Sequence, residues 1–397
     1  MFTLYSLKNG LANVQGFYCD GINCGLRPDP SQGDLAFIRS DRLCDIAATY
    51  TTNRFQAAPI RHALRHYGKR FQGNFILANA KNANAMTGEA GIADIETILA
   101  ALPAEAEAQN PVMSSTGVIG YRLPVDKIVK GLDKLDWHAK NSDATARAIM
   151  TTDSFKKELC FEVELENDQS FRIAAIAKGA GMINPAMATM LCFIATDAAV
   201  PADEMEELLE EAVSLSFNRI SVDGDTSTND TVYLMANGAS GAYDREAFAE
   251  ALRKITFELA MLILKDGEGA NKVVAFEVTG AANDEEAAIA ATNLSNSLLV
   301  KTALFGEDPN WGRIASTIGA SGIACDEEKL SIYYDDLLIY NKDNRELDPE
   351  REEKAYKIMK KDSFRIRCDL GMGTGSFTSY GCDLSYEYVK INAEYRT

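Results

Sequence analysis

The chain has 397 residues, of which 46% are hydrophobic and 25% charged. That is ordinary globular composition and excludes a disordered, collagenous or disulfide-stapled miniprotein. Its 58 acidic against 40 basic side chains leave a formal net charge of −18, which repels phosphate backbones and anionic lipid, so neither nucleic acid nor a membrane surface is expected as a partner.

In chain order, the N-terminal residues lack a basic segment ahead of an apolar one. No apolar run approaches the roughly 20 residues needed to cross a bilayer. The eight cysteines are scattered without a CxxC pair, which suits reduced thiols in a cytoplasmic protein. His62 and His66 are four apart, with no HExxH pattern, and read as a basic exposed face; His138 reads as a surface residue. No metal site is expected. Residues 171–178 read as a strand. Residues 202–218, opening with acids after Pro201, read as a helix. Residues 244–265 carry Phe248, Leu252, Ile255, Leu259 and Leu262 at helical spacing. Helices are also expected over 284–301 and 351–361, and strands over 273–279, 331–340, 364–369 and 384–392. Interleaved helices and strands without strict βαβ alternation predict a mixed α/β (α+β) class rather than a doubly wound sheet.

Two glycine- or oxygen-rich stretches lose their obvious readings. Gly371, Gly373 and Gly375 lack the strand–helix context of a nucleotide loop and read as a turn between strands. The run from Asp223 to Asp230 misplaces the glycine and the terminal glutamate of an EF-hand, and reads as a polar turn near a site. The most informative stretch is Lys178, Gly179, Ala180, Gly181 and Met182, followed by Pro185, Ala188, Thr189, Met190 and Leu191. By itself it reads as the buried start of a helix capped by Thr189. A threonine hydroxyl becomes an effective nucleophile only with a base beside it. A chain break before Thr189 would supply one as a new α-amine, with a pKa near ~8.

These residues resemble the autocleavage motif of the arginine-biosynthetic ornithine acetyltransferase (glutamate N-acetyltransferase, ArgJ) family. Further blocks resemble that family in order along nearly the whole chain. They include Thr51 to Arg54, Asn79 to Ala85, Ser115 to Gly120, Thr151 to Asp153, Val222 to Thr231, Lys301 to Arg313 and Ile391 to Thr397. Asn184, Ala186 and Met86 depart from the residues common there. The resemblance implies a layered fold like that of N-terminal-nucleophile hydrolases, with a smaller C-terminal part. It also implies self-cleavage between Ala188 and Thr189 into chains 1–188 and 189–397, which together make one fold, usually as an α2β2 assembly. Thr189 would take the acetyl group of N2-acetylornithine and pass it to glutamate. Thr116 and Gly117 match the oxyanion hole, and Thr152, Lys178, Thr189, Glu268, Asn392 and Thr397 match substrate-binding positions. Charge suits Lys178 to a substrate carboxylate and Glu268 to an amino group. No prosthetic group is implied; acetyl-CoA is a second donor for some members. An amidohydrolase and an uncleaved amino-acid-binding relative are the alternative readings.

Overall fold

The computed structural model describes residues 2–184 and 190–394. The strands, in chain order, are β1 (Phe2–Ser6), β2 (Phe17–Ile22), β3 (Leu35–Tyr50), β4 (Arg70–Asn79), β5 (Val112–Ser115), β6 (Lys157–Leu165), β7 (Ser170–Lys178), β8 (Leu191–Thr196), β9 (Ile220–Ser221), β10 (Thr231–Ala236), β11 (Val273–Ala281), β12 (Ser331–Tyr334), β13 (Leu337–Tyr340), β14 (Ser363–Asp369) and β15 (Gly375–Cys382). The α-helices are α1 (Ala58–His66), α2 (Gly88–Ala100), α3 (Val125–Leu132), α4 (Ser142–Ala148), α5 (Met205–Ser214), α6 (Arg245–Lys265), α7 (Asp284–Asn296), α8 (Leu298–Phe305), α9 (Trp311–Gly319), α10 (Pro349–Met359) and α11 (Tyr386–Glu394).

The mixed α/β class holds, as two sheets with helical layers. The larger runs β1-β6-β7-β8-β10-β3-β4-β5, with β2 also paired to β3; the smaller runs β13-β12-β14-β11-β15-β9. The central strands of the larger sheet are buried on both faces, which explains their nearly unbroken apolar sequence. On β7, Ile173, Ala175 and Ala177 join one core with the apolar stripe of α6, while Ala174 and Ile176 join a second core on the opposite face. The period of two along a strand produces this division. Helix α6 packs on β6 and β7 and also reaches β9 and β15, so it lies between the sheets. The smaller sheet has its own core with α7, α9 and α10. No described helix is long and apolar enough to cross a membrane.

Several sequence-based boundaries move for local reasons. The helix expected over 202–218 is confined to α5 and a short 3-10 turn, Phe217–Arg219. Asp244 stands outside α6 as its N-cap, accepting from the Ala247 amide at 2.9 Å. The helix expected over 284–301 breaks at Ser297, whose extended backbone ends α7 and whose hydroxyl caps α8. The strand expected over 331–340 is a hairpin, β12 and β13, turned at Asp335 with φ 50°. The strand expected over 384–392 is instead a helix, α11. No helix follows position 189 either: β8 begins at Leu191. Met190, Leu191, Phe193 and Ile194 are buried as expected. The glycine turn falls between β14 and β15.

Core truncation on α6 therefore carries a large cost. Leu259→Ala should lower stability by about 2–5 kcal/mol, and the exposed Leu298→Ala by no more than about 0.5 kcal/mol, as measured by urea unfolding.

Candidate active site

Three strand ends build the site. In the larger sheet Lys178, the last residue of β7, pairs with Leu191, the first of β8. Leu191 in turn pairs with Thr231, the first of β10. Lys178, Met190 and Asp230 therefore gather at one edge of three adjacent strands. The Asp230 carboxylate accepts from the Met190 amide at 3.0 Å, and the Thr231 amide donates to the Met190 carbonyl at 3.1 Å.

A cavity of about 230 Å³ opens there, below the roughly 300–1,000 Å³ typical of pockets for drug-sized ligands. It suits a molecule of amino-acid size. Thr116, Gly117, Thr152, Lys178, Glu268 and Asn392 all line it, so six residues matched from the sequence converge from five separate segments. Ala188, Thr189 and Thr397 lie outside the described residues. Asp223, Asp225 and Asn229 line the same cavity, which places the oxygen-rich turn at the site.

Each wall has a local cause. Thr116 is buried and its amide bonds the Asn79 carbonyl at 3.0 Å. Gly117 has φ 130°, and an added Cβ would overlap the Lys81 carbonyl carbon; only glycine fits. The turn before β10 is pinned on both sides. Asn229 donates to the carbonyls of Ala83 at 2.6 Å and Ser115 at 2.8 Å, and Thr51 donates to the Ser227 carbonyl at 2.7 Å. Asp223 accepts from the Met182 and Ile183 amides at 2.6 and 2.9 Å, fixing the chain that leads from Lys178. Asn392, on α11, donates to Glu268 at 2.7 Å. Gly181 leaves room for that glutamate: a Cβ there would stand 2.5 Å from its carboxylate carbon.

Neither charged residue lies on the surface. Lys178 is 2% exposed and Glu268 is buried. Burial pushes the Lys178 ammonium below its usual range, and Asp153 opposes that shift; the Asp153 carboxylate is 3.8 Å away. Asp153 also accepts from Lys157 Nζ and the Gly179 amide, both at 2.7 Å, and from the Thr151 amide at 2.9 Å. Lys157 Nζ in turn donates to Asp266 at 2.6 Å, two residues before Glu268. Sequence reasoning missed Lys157, Asp266 and Tyr388, and named Asp230 only as the end of a polar turn near a site. The Thr151 to Asp153 block was a partial signal, and nothing in the sequence pairs Lys157 with Asp266, 109 positions away.

Two buried aspartates titrate in opposite directions. Burial raises Asp153, but Lys178 and Lys157 outweigh it and hold the carboxyl well below the usual range. Burial also raises Asp230, and there the Met190 amide, the nearby Ser227 and Thr51 hydroxyls and Lys178 only partly offset it, so this carboxyl is held well above its usual range. One of its oxygens, Oδ2, has no aligned hydrogen-bond donor among the described residues.

The profile of the ArgJ family matches residues 18–397. The arginine biosynthesis bifunctional protein ArgJ of Wolinella succinogenes is 56% identical over all of both chains. The protein of the same name in Listeria monocytogenes is 40% identical over 98% of this chain and 99% of its own. A crystal structure of arginine biosynthesis bifunctional protein argJ from Bacillus halodurans is 40% identical, covering 50% of this chain and 96% of that one, at a TM-score of 0.47.

The opposed aspartates predict opposed mutants. Asp153→Asn leaves two buried lysines short of charge and should cost about 3–5 kcal/mol near neutral pH. The Asp153 contribution is complete above an ordinary pKa of ~3.9 and is lost as pH falls towards the depressed native value, so the gap to wild type should narrow below pH ~4. Asp230→Asn keeps an acceptor for Met190 and the shape of a protonated acid, and should cost no more than about 1 kcal/mol. Urea midpoints measured across pH check both.

Proposed function

The chain belongs to the ArgJ family, and from that we propose that it is an acetyltransferase of arginine biosynthesis that moves the acetyl group of N2-acetylornithine to glutamate. The observation that carries this reading is the convergence of Thr116, Gly117, Thr152, Lys178, Glu268 and Asn392 on one amino-acid-sized cavity. The chain enters that cavity at Gly181 and Met182, and Met190, which directly follows Thr189, is tied to Asp230 at its edge.

In this reading the precursor cuts itself. The Thr189 hydroxyl attacks the Ala188 carbonyl, the amide nitrogen leaves with a proton, and water hydrolyses the resulting ester. The products are chains 1–188 and 189–397, the second with a free α-amine on Thr189. That amine then serves as the base for its own hydroxyl, so no histidine is needed. The hydroxyl attacks the acetyl carbonyl of N2-acetylornithine. The C–N bond breaks, the proton passes to the departing α-amine, and ornithine leaves an acetyl ester on Thr189. The glutamate α-amine attacks that ester and the hydroxyl regains its proton. The Thr116 hydroxyl and the Gly117 N–H stabilise the oxyanion of each tetrahedral intermediate, a contribution of about 3–4 kcal/mol for a single donor in comparable sites.

Both substrates are zwitterionic amino acids, and the cavity is lined by one cation, Lys178, and by the carboxylates of Glu268, Asp223 and Asp225. Lys178 takes a carboxylate and Glu268 an amino group, and Thr152 and Asn392 contribute further contacts; the family match adds Thr397 to the substrate-binding set. Acetyl-CoA is a second donor to be assayed. Two cleaved pairs assemble as α2β2. The eight free cysteines, seven of them buried, suit a reducing cytoplasmic compartment.

Intact mass under denaturing conditions tests the first step. Wild type should give two species, the second beginning at Thr189, and Thr189→Ala one uncut chain; an uncut wild type refutes the mechanism. With both substrates, acetyl transfer should depend on glutamate, and ornithine release without it would make the protein an amidohydrolase. Lys178→Met and Glu268→Gln should each lower kcat/KM by at least about a hundredfold, the cost of leaving one buried charge of the pair unmatched.

A further inference from the structure

The two histidines expected on a basic exposed face are not equivalent. His62 is 5% exposed and its Nδ1 has no hydrogen-bond partner among the described residues, whereas the His66 side chain is 42% exposed. They stand one turn apart on α1 with ring centroids 4.6 Å apart. Helix α2 packs against α1 and brings Glu96 beside them, with its carboxylate 3.6 Å from His66 Nε2. That is too long for a good hydrogen bond. One ligand atom from each of the three residues lies within 4.8 Å of the others, the sole such grouping among the described residues.

We propose that His62, His66 and Glu96 bind a divalent transition metal, Zn2+ in the first instance, between α1 and α2. Two imidazoles and a carboxylate are the ligands of three-residue zinc sites in which a water takes the fourth position. Bonds of about 2.0–2.1 Å around a tetrahedral ion place ligand atoms roughly 3.4 Å apart. His66 and Glu96 are both about half exposed, so their side chains are free to close the remaining gap. Burial, and then the neighbouring His66, push the His62 imidazole down to about 4; it is neutral near pH 7, with a lone pair to give. Arg61 and Arg65 both pair with Glu89, which offsets one of their two charges.

The site is separate from the active cavity but mechanically joined to it. Helix α1 starts where the Ala57 amide bonds the Thr228 carbonyl at 2.9 Å and the Ala58 amide bonds the Asn84 carbonyl at 3.0 Å. Helix α2 leaves the same 79–87 segment that packs on Gly117. A bound ion therefore staples together the two helices that carry these loops.

Calorimetric titration of chelator-stripped, full-length protein with ZnCl2 tests the proposal. One Zn2+ per chain should bind, Ni2+ and Cu2+ should compete, and Mg2+ should not, since it prefers all-oxygen octahedral sites. Zn2+ should raise Tm. His66→Gln and Glu96→Gln alter exposed side chains that folding does not need, and each should weaken binding by at least about tenfold. Absence of saturable one-to-one binding overturns the proposal. So does binding of unchanged affinity in the His66→Gln/Glu96→Gln double variant. Neither result bears on acetyl transfer, which is read separately.

Discussion

The buried cluster of Asp153, Lys157 and Asp266 is the constraint on which the site depends. Lys157 sits fully buried between two carboxylates at 2.6 and 2.7 Å. Removing these charges from water costs several kcal/mol each, and only close, fully hydrogen-bonded geometry recovers it. The geometry here also does positional work. Asp153 holds the Gly179 amide and stands near Lys178 Nζ, at the cationic end of the cavity. Asp266 is held at the end of α6 by Lys157 and by Ser154, two residues from Glu268 at the anionic end. One lysine thus sets the spacing between Lys178 and Glu268 in the cavity wall.

Packing alone would not hold that arrangement, because most of the cavity wall is loop. Polar groups at the ends of regular elements do the fixing. Asn229 ties the turn before β10 to the end of β5, Asp223 ties it to the residues after Lys178, and Tyr388 of α11 donates to Asp223 at 3.3 Å. Positions without side chains matter as much. Gly117 lets the backbone pass the Lys81 carbonyl, and Gly181 lets Glu268 lie against the chain. Enlarging either residue would displace a wall of the cavity, whereas Gly88, Gly120 and Gly241 have open space where a side chain would go.

What the sequence revealed follows from the range of the forces involved. Helix α6 was legible because one apolar stripe and an Asp cap are local signals, and the mixed α/β class followed from alternating periods. Helix α11 was misread as a strand: its tyrosines and valine favour strands intrinsically, and no residue of it is fully buried, so its periodicity is weak. The break at Ser297 and the hairpin at Asp335 each turn on one residue's backbone angles. The family resemblance singled out Lys178 and Glu268, yet their burial depends on strands and helices brought together across the fold. The ion cluster was invisible because Lys157 and Asp266 are 109 positions apart. His62 was misjudged for the same reason, since its burial depends on α2.

The same long-range pairings govern what a cut before Thr189 would do to the molecule. Thr116, Thr152 and Lys178 precede that point, and Glu268 and Asn392 follow it, so neither fragment holds a complete cavity. The larger sheet is interleaved across it too: β8 pairs with β7, and β10 with β3. Strands from one fragment therefore hydrogen-bond to strands of the other, and α6 of the second fragment covers β6 and β7 of the first. Separating the pieces would expose both sheet edges and the core beneath α6, and would leave Lys157 without Asp266. Cleavage in such a frame removes one covalent bond and keeps nearly every noncovalent one. A new amine can then appear beside the strand ends without any need for the fold to reassemble around it.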